Sequence, residues 1–115
     1  MSVNSKIIKA LEEFGYPCKP DIYTGSESRY FTFNTAAERG RDFGDNKPGC
    51  VEISMQIHYF CPWKENGKEV NYLAEKKKIR ELLFKTGFTY PDVTVLLEQE
   101  KNVRHIIFEC EIEEE

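Results

Sequence analysis

Between Cys50 and Cys61 the side chains alternate in character. Val51, Ile53, Met55, Ile57 and Tyr59 are apolar, and Glu52, Ser54, Gln56 and His58 between them are polar. Successive side chains of a strand point to opposite faces, so this pattern demands a sheet with one buried and one wet face. The segment excludes all-helical folds. It also demands neighbouring strands and an apolar layer to cover its buried face. Pro62 ends the strand, and Asn66-Gly67 marks a tight turn beyond it.

Two segments can supply the cover. Over residues 4–14, Ile7, Leu11 and Phe14 recur at helical spacing behind Val3, with Ile8 beside them. Ser2 or Asn4 can cap the start, and Gly15 suits the position after the end. Over residues 71–86, Tyr72, Ile79, Leu82 and Leu83 make an inner stripe, with Asn71 as N-cap and Gly87 as stop. Arg29 to Asn34 reads as a second strand, because Tyr30, Phe31, Thr32 and Phe33 favour pleated surfaces. Residues 93–99 and 103–112 read as a hairpin turning at Lys101-Asn102. Residues 16–28 read as a loop with a short edge strand at Asp21-Ile22-Tyr23. Residues 35–49, rich in glycine and charge, read as a long irregular loop.

The expected architecture is α+β: a mostly antiparallel sheet of four to five strands flanked by two helices, in the order α-β-β-α-β-β. With 115 residues the chain suits one domain, 1–115, because two cores would each be too small. Aromatic residues at 13% argue against disorder.

Charge and cysteine usage narrow the function classes. A formal net charge of −4 does not suit a chain built mainly to hold nucleic acid. No apolar run approaches the roughly 20 residues of a membrane span, and the N-terminal segment lacks a signal peptide's apolar stretch. The expected location is the cytosol. Cys18, Cys50, Cys61 and Cys110 are scattered without a Cys-x-x-Cys pair and read as small hydrophobes.

Motifs for chemistry are sparse. His58 and His105 both fall inside expected strands, His58 on the polar face, and neither has a nucleophile beside it in sequence. His58 and Cys61, three apart in a strand, point to opposite faces and do not make a metal pair. Glycines at 40, 44 and 49 fit neither Gly-x-Gly-x-x-Gly nor the P-loop. No enzyme, cofactor or metal site is expected. What stands out is segregated charge. The second helix carries Lys76, Lys77, Lys78 and Arg80, and the C-terminal strand carries Glu109, Glu111, Glu113, Glu114 and Glu115. Such patches can pair within a monomer or meet head-to-tail in a ring.

Several stretches together resemble a known family. They are Asn4-Ser5-Lys6-Ile7-Ile8-Lys9-Ala10-Leu11, Tyr30-Phe31-Thr32-Phe33-Asn34, the alternating strand closing on His58-Tyr59-Phe60, Lys85-Thr86-Gly87-Phe88, and Arg104-His105-Ile106-Ile107-Phe108-Glu109. The chain resembles the tail-completion or tail-terminator proteins of tailed bacteriophages and Gram-positive prophages. The resemblance implies a sheet flanked by helices and a ring, six copies in the virion, at the head-proximal end of the tail. Its implied partners are further copies of itself, the tail tube protein, the head-tail connector protein, and non-specifically the DNA in the ring lumen. It implies no cofactor or turnover, and a place in the host cytoplasm during assembly and then in the virion neck. The candidate assembly residues are Arg39, Arg41, Asp42 and Phe43 in the 35–49 segment, Lys76, Lys77 and Arg80 on the second helix, and Glu111 and Glu113 near the C-terminus. A head-completion or neck adaptor, and a small phage-encoded module regulating a host factor, are the alternatives.

Overall fold

The computed structural model describes residues 1–41 and 49–114. Helix α1, Val3–Leu11, starts at Ser2, whose Oγ accepts from the Ser5 N–H at 3.1 Å. A 3₁₀ turn, Glu12–Phe14, then ends at Gly15 in the left-handed region. Strands β1 (Cys18–Pro20), β2 (Tyr30–Arg41) and β3 (Cys50–Pro62) follow, then a small hairpin of β4 (Lys64–Glu65) and β5 (Lys68–Glu69). Helix α2, Leu73–Thr86, leads to β6 (Asp92–Glu98) and β7 (Val103–Glu114). Five strands form one sheet in the order β1-β2-β3-β7-β6, and β4-β5 form a separate two-stranded sheet. The class is α+β with two helices.

The alternation in β3 does what its period requires. Ile53, Met55, Ile57, Tyr59 and Cys61 are buried, and the even-numbered residues from Glu52 to Phe60 are less so. Register carries the same face across the sheet. Phe33 lies opposite Ile57, Ile57 opposite Phe108, and Phe108 opposite Val93. Ile7 and Leu11 of α1, with Ile79 and Leu83 of α2, pack into one cluster with this face. Fully burying a side chain of this size contributes about 1.5–3 kcal/mol.

Four expectations change. Residues 35–41 are the second half of β2, paired with β3 from Thr35–Met55 to Arg41–Cys50. The ladder supplies backbone hydrogen bonds whatever the side chains are, so a polar run can be strand. The short edge strand is Cys18–Pro20 rather than 21–23, and it pairs parallel to β2. Asp21 takes a positive φ of 63° and ends it. Helix α2 begins at Leu73, because Asn71 Oδ1 accepts from the Leu73 N–H at 3.1 Å and turns the chain just outside the helix. Within its stripe Leu82 is only half-buried. Finally, Asn66-Gly67 is a turn with positive φ at both residues, 53° and 77°, and it builds the β4–β5 hairpin that the expected order lacked.

Candidate functional site

Both helices lie on one face of the sheet. On the other face, among the described residues, no helix lies. This uncovered face is the candidate functional surface, and it has two halves.

One half is aromatic and imidazole. Cross-strand register places Tyr30 opposite Phe60 and Phe60 opposite His105. The ring centroids stand 4.7 Å and 4.2 Å apart with interplanar angles of 19° and 17°. The rings stand on the sheet side by side, showing edges rather than faces to solvent. Tyr23 closes the row at 4.6 Å from Tyr30, and its hydroxyl accepts from the Glu27 N–H.

Beside the row runs a chain of hydrogen bonds. Asn34 Nδ2 donates to Gln56 Oε1 at 3.3 Å, which leaves Asn34 Oδ1 to accept from His58 Nε2 at 2.9 Å. His58 Nδ1 is then the acceptor for His105 Nε2–H at 2.8 Å. The network fixes the tautomers of both neutral rings. Burial holds His58 below the usual histidine range, against the pull of Glu109. Burial, and then His58 itself, hold His105 down too. A second proton on His58 would have to sit on Nδ1 and put two donors face to face across the contact, so His58 favours the neutral state.

The other half is charged. Arg41 binds Glu52 at 2.8 Å, and that hydrogen bond holds the Glu52 carboxyl below its usual range. Its neighbour Glu52 holds the Glu111 carboxyl above its usual range. Arg39 lies opposite Glu52 and Glu52 opposite Glu113. Glu109 and Asp92, opposite one another, extend the acidic side to β6. A concavity of about 330 Å³ opens between Ala37 and Arg39 on one side and Thr89–Asp92 on the other.

The structure therefore brings Arg39, Arg41, Glu111 and Glu113 together on one face. Asp42 and Phe43 lie outside the described residues. Lys76, Lys77 and Arg80 belong to the opposite, helical side, and two are partly engaged. Arg80 donates to the Pro91 carbonyl at 2.8 and 3.1 Å and lies 4.7 Å over the Tyr90 ring. Lys76 sits over Tyr72. Nearby, Lys78 pairs with Glu13 at 2.7 Å. Lys77 and Lys85 remain exposed on that side. Sequence reasoning missed the His58–His105 contact, whose only signal is the register that sets Phe60 opposite His105.

Cys18, Cys61 and Cys110 pack as small hydrophobes. Burial pushes Cys18 and Cys61 up to about 11 and Cys110 up to about 12. Among the described residues no group of three or more His, Cys, Asp or Glu is placed to hold a metal ion. No described helix is long and apolar enough to cross a membrane.

No family model matches this chain, and no curated protein matches it significantly.

Proposed function

We propose that this chain is a structural subunit of a tailed phage or prophage, of the tail-terminator kind. It assembles as a ring that caps the tail tube and joins it to the head connector. The observation that carries the reading is the two-sided layer. An uncovered sheet face, acidic through Glu109, Glu111, Glu113 and Asp92, backs onto a helical face carrying Lys77 and Lys85. A thin subunit with opposite signs on its two sides suits unlike partners above and below, because complementary potentials set orientation and reject the wrong stacking. The long strands and the family resemblance point the same way. In this reading the tube and connector proteins meet the two faces, with Lys77 and Lys85 on the helical one. Assembly takes place in the host cytoplasm, and the finished protein sits in the virion neck.

Deleting the gene from the phage or prophage that carries it, and imaging the lysate by electron microscopy, tests this. Overlong tails beside tailless filled heads are expected. Tails of normal length left unattached would move the role to a neck adaptor. Intact infectious particles, or a gene lying outside any phage or prophage, would overturn the proposal and favour a regulator of a host factor.

A further inference from the structure

The sheet has two open edges. β1 pairs with β2 only through Phe33, and among the described residues nothing pairs with that side of residues 37–41. At the far end of the sheet, β6 leaves its outer side unpaired along Asp92–Glu98. An edge strand is a row of unsatisfied N–H and C=O groups, and proteins usually guard it with proline, lysine or a bulge. The run of β6 holds neither proline nor lysine, and it exposes Leu96 and Leu97 at 45% and 39%.

We infer that β6 of one copy adds, antiparallel, to the outer edge of β2 in a second copy, making one sheet across the subunit boundary. The inference rests on the ring-subunit reading and names the contact that joins neighbours. Charge selects this partner. In a two-fold contact of β6 with β6 centred on Val95, Asp92 of each copy would face Glu98 of the other, which is unfavourable. Against β2, the register with Asp92 opposite Arg41 puts Thr94 opposite Arg39 and Leu96 opposite Ala37. All six lie on the uncovered face. On the helical face the same register sets Val93 beside Gly40 and Val95 beside Glu38. Arg39 and Asp92 are exposed and make no ion pair among the described residues. The bulge at Ala36 stops the pairing, so residues 37–41 take 92–96 and no more. The two edges differ, so the contact is heterologous and closes into a ring if its rotation allows.

The test uses the full chain with Cys50→Ser, which removes the thiol on the uncovered face. Arg39→Cys and Thr94→Cys are made separately, mixed, and oxidised with oxidised glutathione. Non-reducing electrophoresis and mass spectrometry read the products. A disulfide joining the two variants is expected, with neither variant linking to itself, and Asp92→Arg on the Thr94→Cys chain should abolish it. Self-linking of Thr94→Cys alone would show two β6 edges meeting and overturn the inference. A mixed yield no greater than that of Arg39→Cys with Lys77→Cys, a pair on opposite sides of the molecule, would overturn it too. As a second measurement, Asp92→Arg and Arg41→Glu should each weaken self-association in sedimentation, and mixing the two variants should restore it. Failure of these links alongside overlong tails in the deletion strain would sink the edge contact and spare the terminator reading. Links present with intact phage would do the reverse.

Discussion

Glu75 is the joint between the helical layer and the sheet, and its removal has a calculable cost. Its carboxylate accepts from the hydroxyl of Tyr59 at 2.8 Å and from that of Tyr16 at 2.7 Å. Arg29 stands 3.6 Å from the same oxygen that Tyr59 uses. Tyr59 is 0% exposed, so in Glu75→Ala its hydroxyl loses its carboxylate acceptor at the edge of the core. A buried donor left unsatisfied costs about 1–3 kcal/mol, and a hydrogen bond to a charged acceptor contributes about 1.5–3. Tyr16 is only half-buried and can rehydrate, so the larger part of the loss sits on Tyr59. The expected destabilisation is about 3 kcal/mol. At about 2.1 cal/mol/K per residue, a chain of this length loses about 4 °C of Tm for each kcal/mol, so calorimetry should show a fall of about 12 °C. Glu75→Gln keeps an acceptor and should lose about a third of that. Coupling is the sharper readout. Tyr59→Phe removes the orphaned hydroxyl, so in the Glu75→Ala background it should recover stability rather than cost more. Additive losses in the double variant, or a Glu75→Ala Tm within a degree of the parent, would refute the reasoning.

Three further outcomes are expected. An added Cβ at Gly25 would lie 2.1 Å from the Tyr23 hydroxyl and force that ring off Tyr30; Gly25→Ala should cost about 1–2 kcal/mol in urea unfolding, and nearly nothing once Tyr23→Ala is present. His58 and His105 are held below their unfolded range, so the unfolded chain binds more protons and their contribution is complete above about pH 7 and is lost as pH falls through the depressed folded values; Tm should therefore fall more steeply between about pH 7 and 5 in the parent than in a His58→Gln, His105→Gln variant. Deleting Ala36 should leave the fold intact by near-UV circular dichroism, because Thr35–Met55 and Ala37–Ser54 are already consecutive pairs on either side of the bulge, and sedimentation should show more self-association as the β2 edge becomes regular.

What the sequence made legible follows from where each signal lives. β3 announces itself because one of its faces is wet and the other dry, and α1 because Ile7 and Leu11 both reach 0% exposure on one side. The β6–β7 hairpin shows through its turn, where Asn102 takes a φ of 57°. The tail of β2 carries no such contrast. Residues 35–41 lie at an open edge with little burial on either side, so neither face imposes a pattern. The parallel pairing of β1 is decided by how the chain returns after Gly15, not by any property of Cys18-Lys19-Pro20. In α2, Leu73 and Phe84 stay exposed although both are large and apolar, so composition alone overstates its buried stripe.

The candidate face was half legible for a related reason. Alternation in β3 and β7 places Glu52, His58, His105 and Glu111 on the wet side without further information. The arginines of β2 do not follow so simply. Counting in twos from the buried Phe31 and Phe33 would put Arg39 and Arg41 under the helices, with Arg39 opposite Val51. The bulge between Thr35 and Ala37 inserts one residue and reverses that count. Glu38 and Gly40 take the helical side instead, opposite Ile53 and Val51, and Arg39 and Arg41 emerge opposite Glu52 and Cys50. A single unpaired alanine thus spares the core two guanidinium groups. It also assembles the basic corner of an otherwise acidic surface. Nothing in Thr35-Ala36-Ala37 marks that position, because a bulge is a property of two strands and is set by the register of the partner. The same unseen residue fixes where the open edge of β2 becomes straight enough to accept another strand, so the surface charge and the edge contact inferred for neighbouring copies have one structural origin.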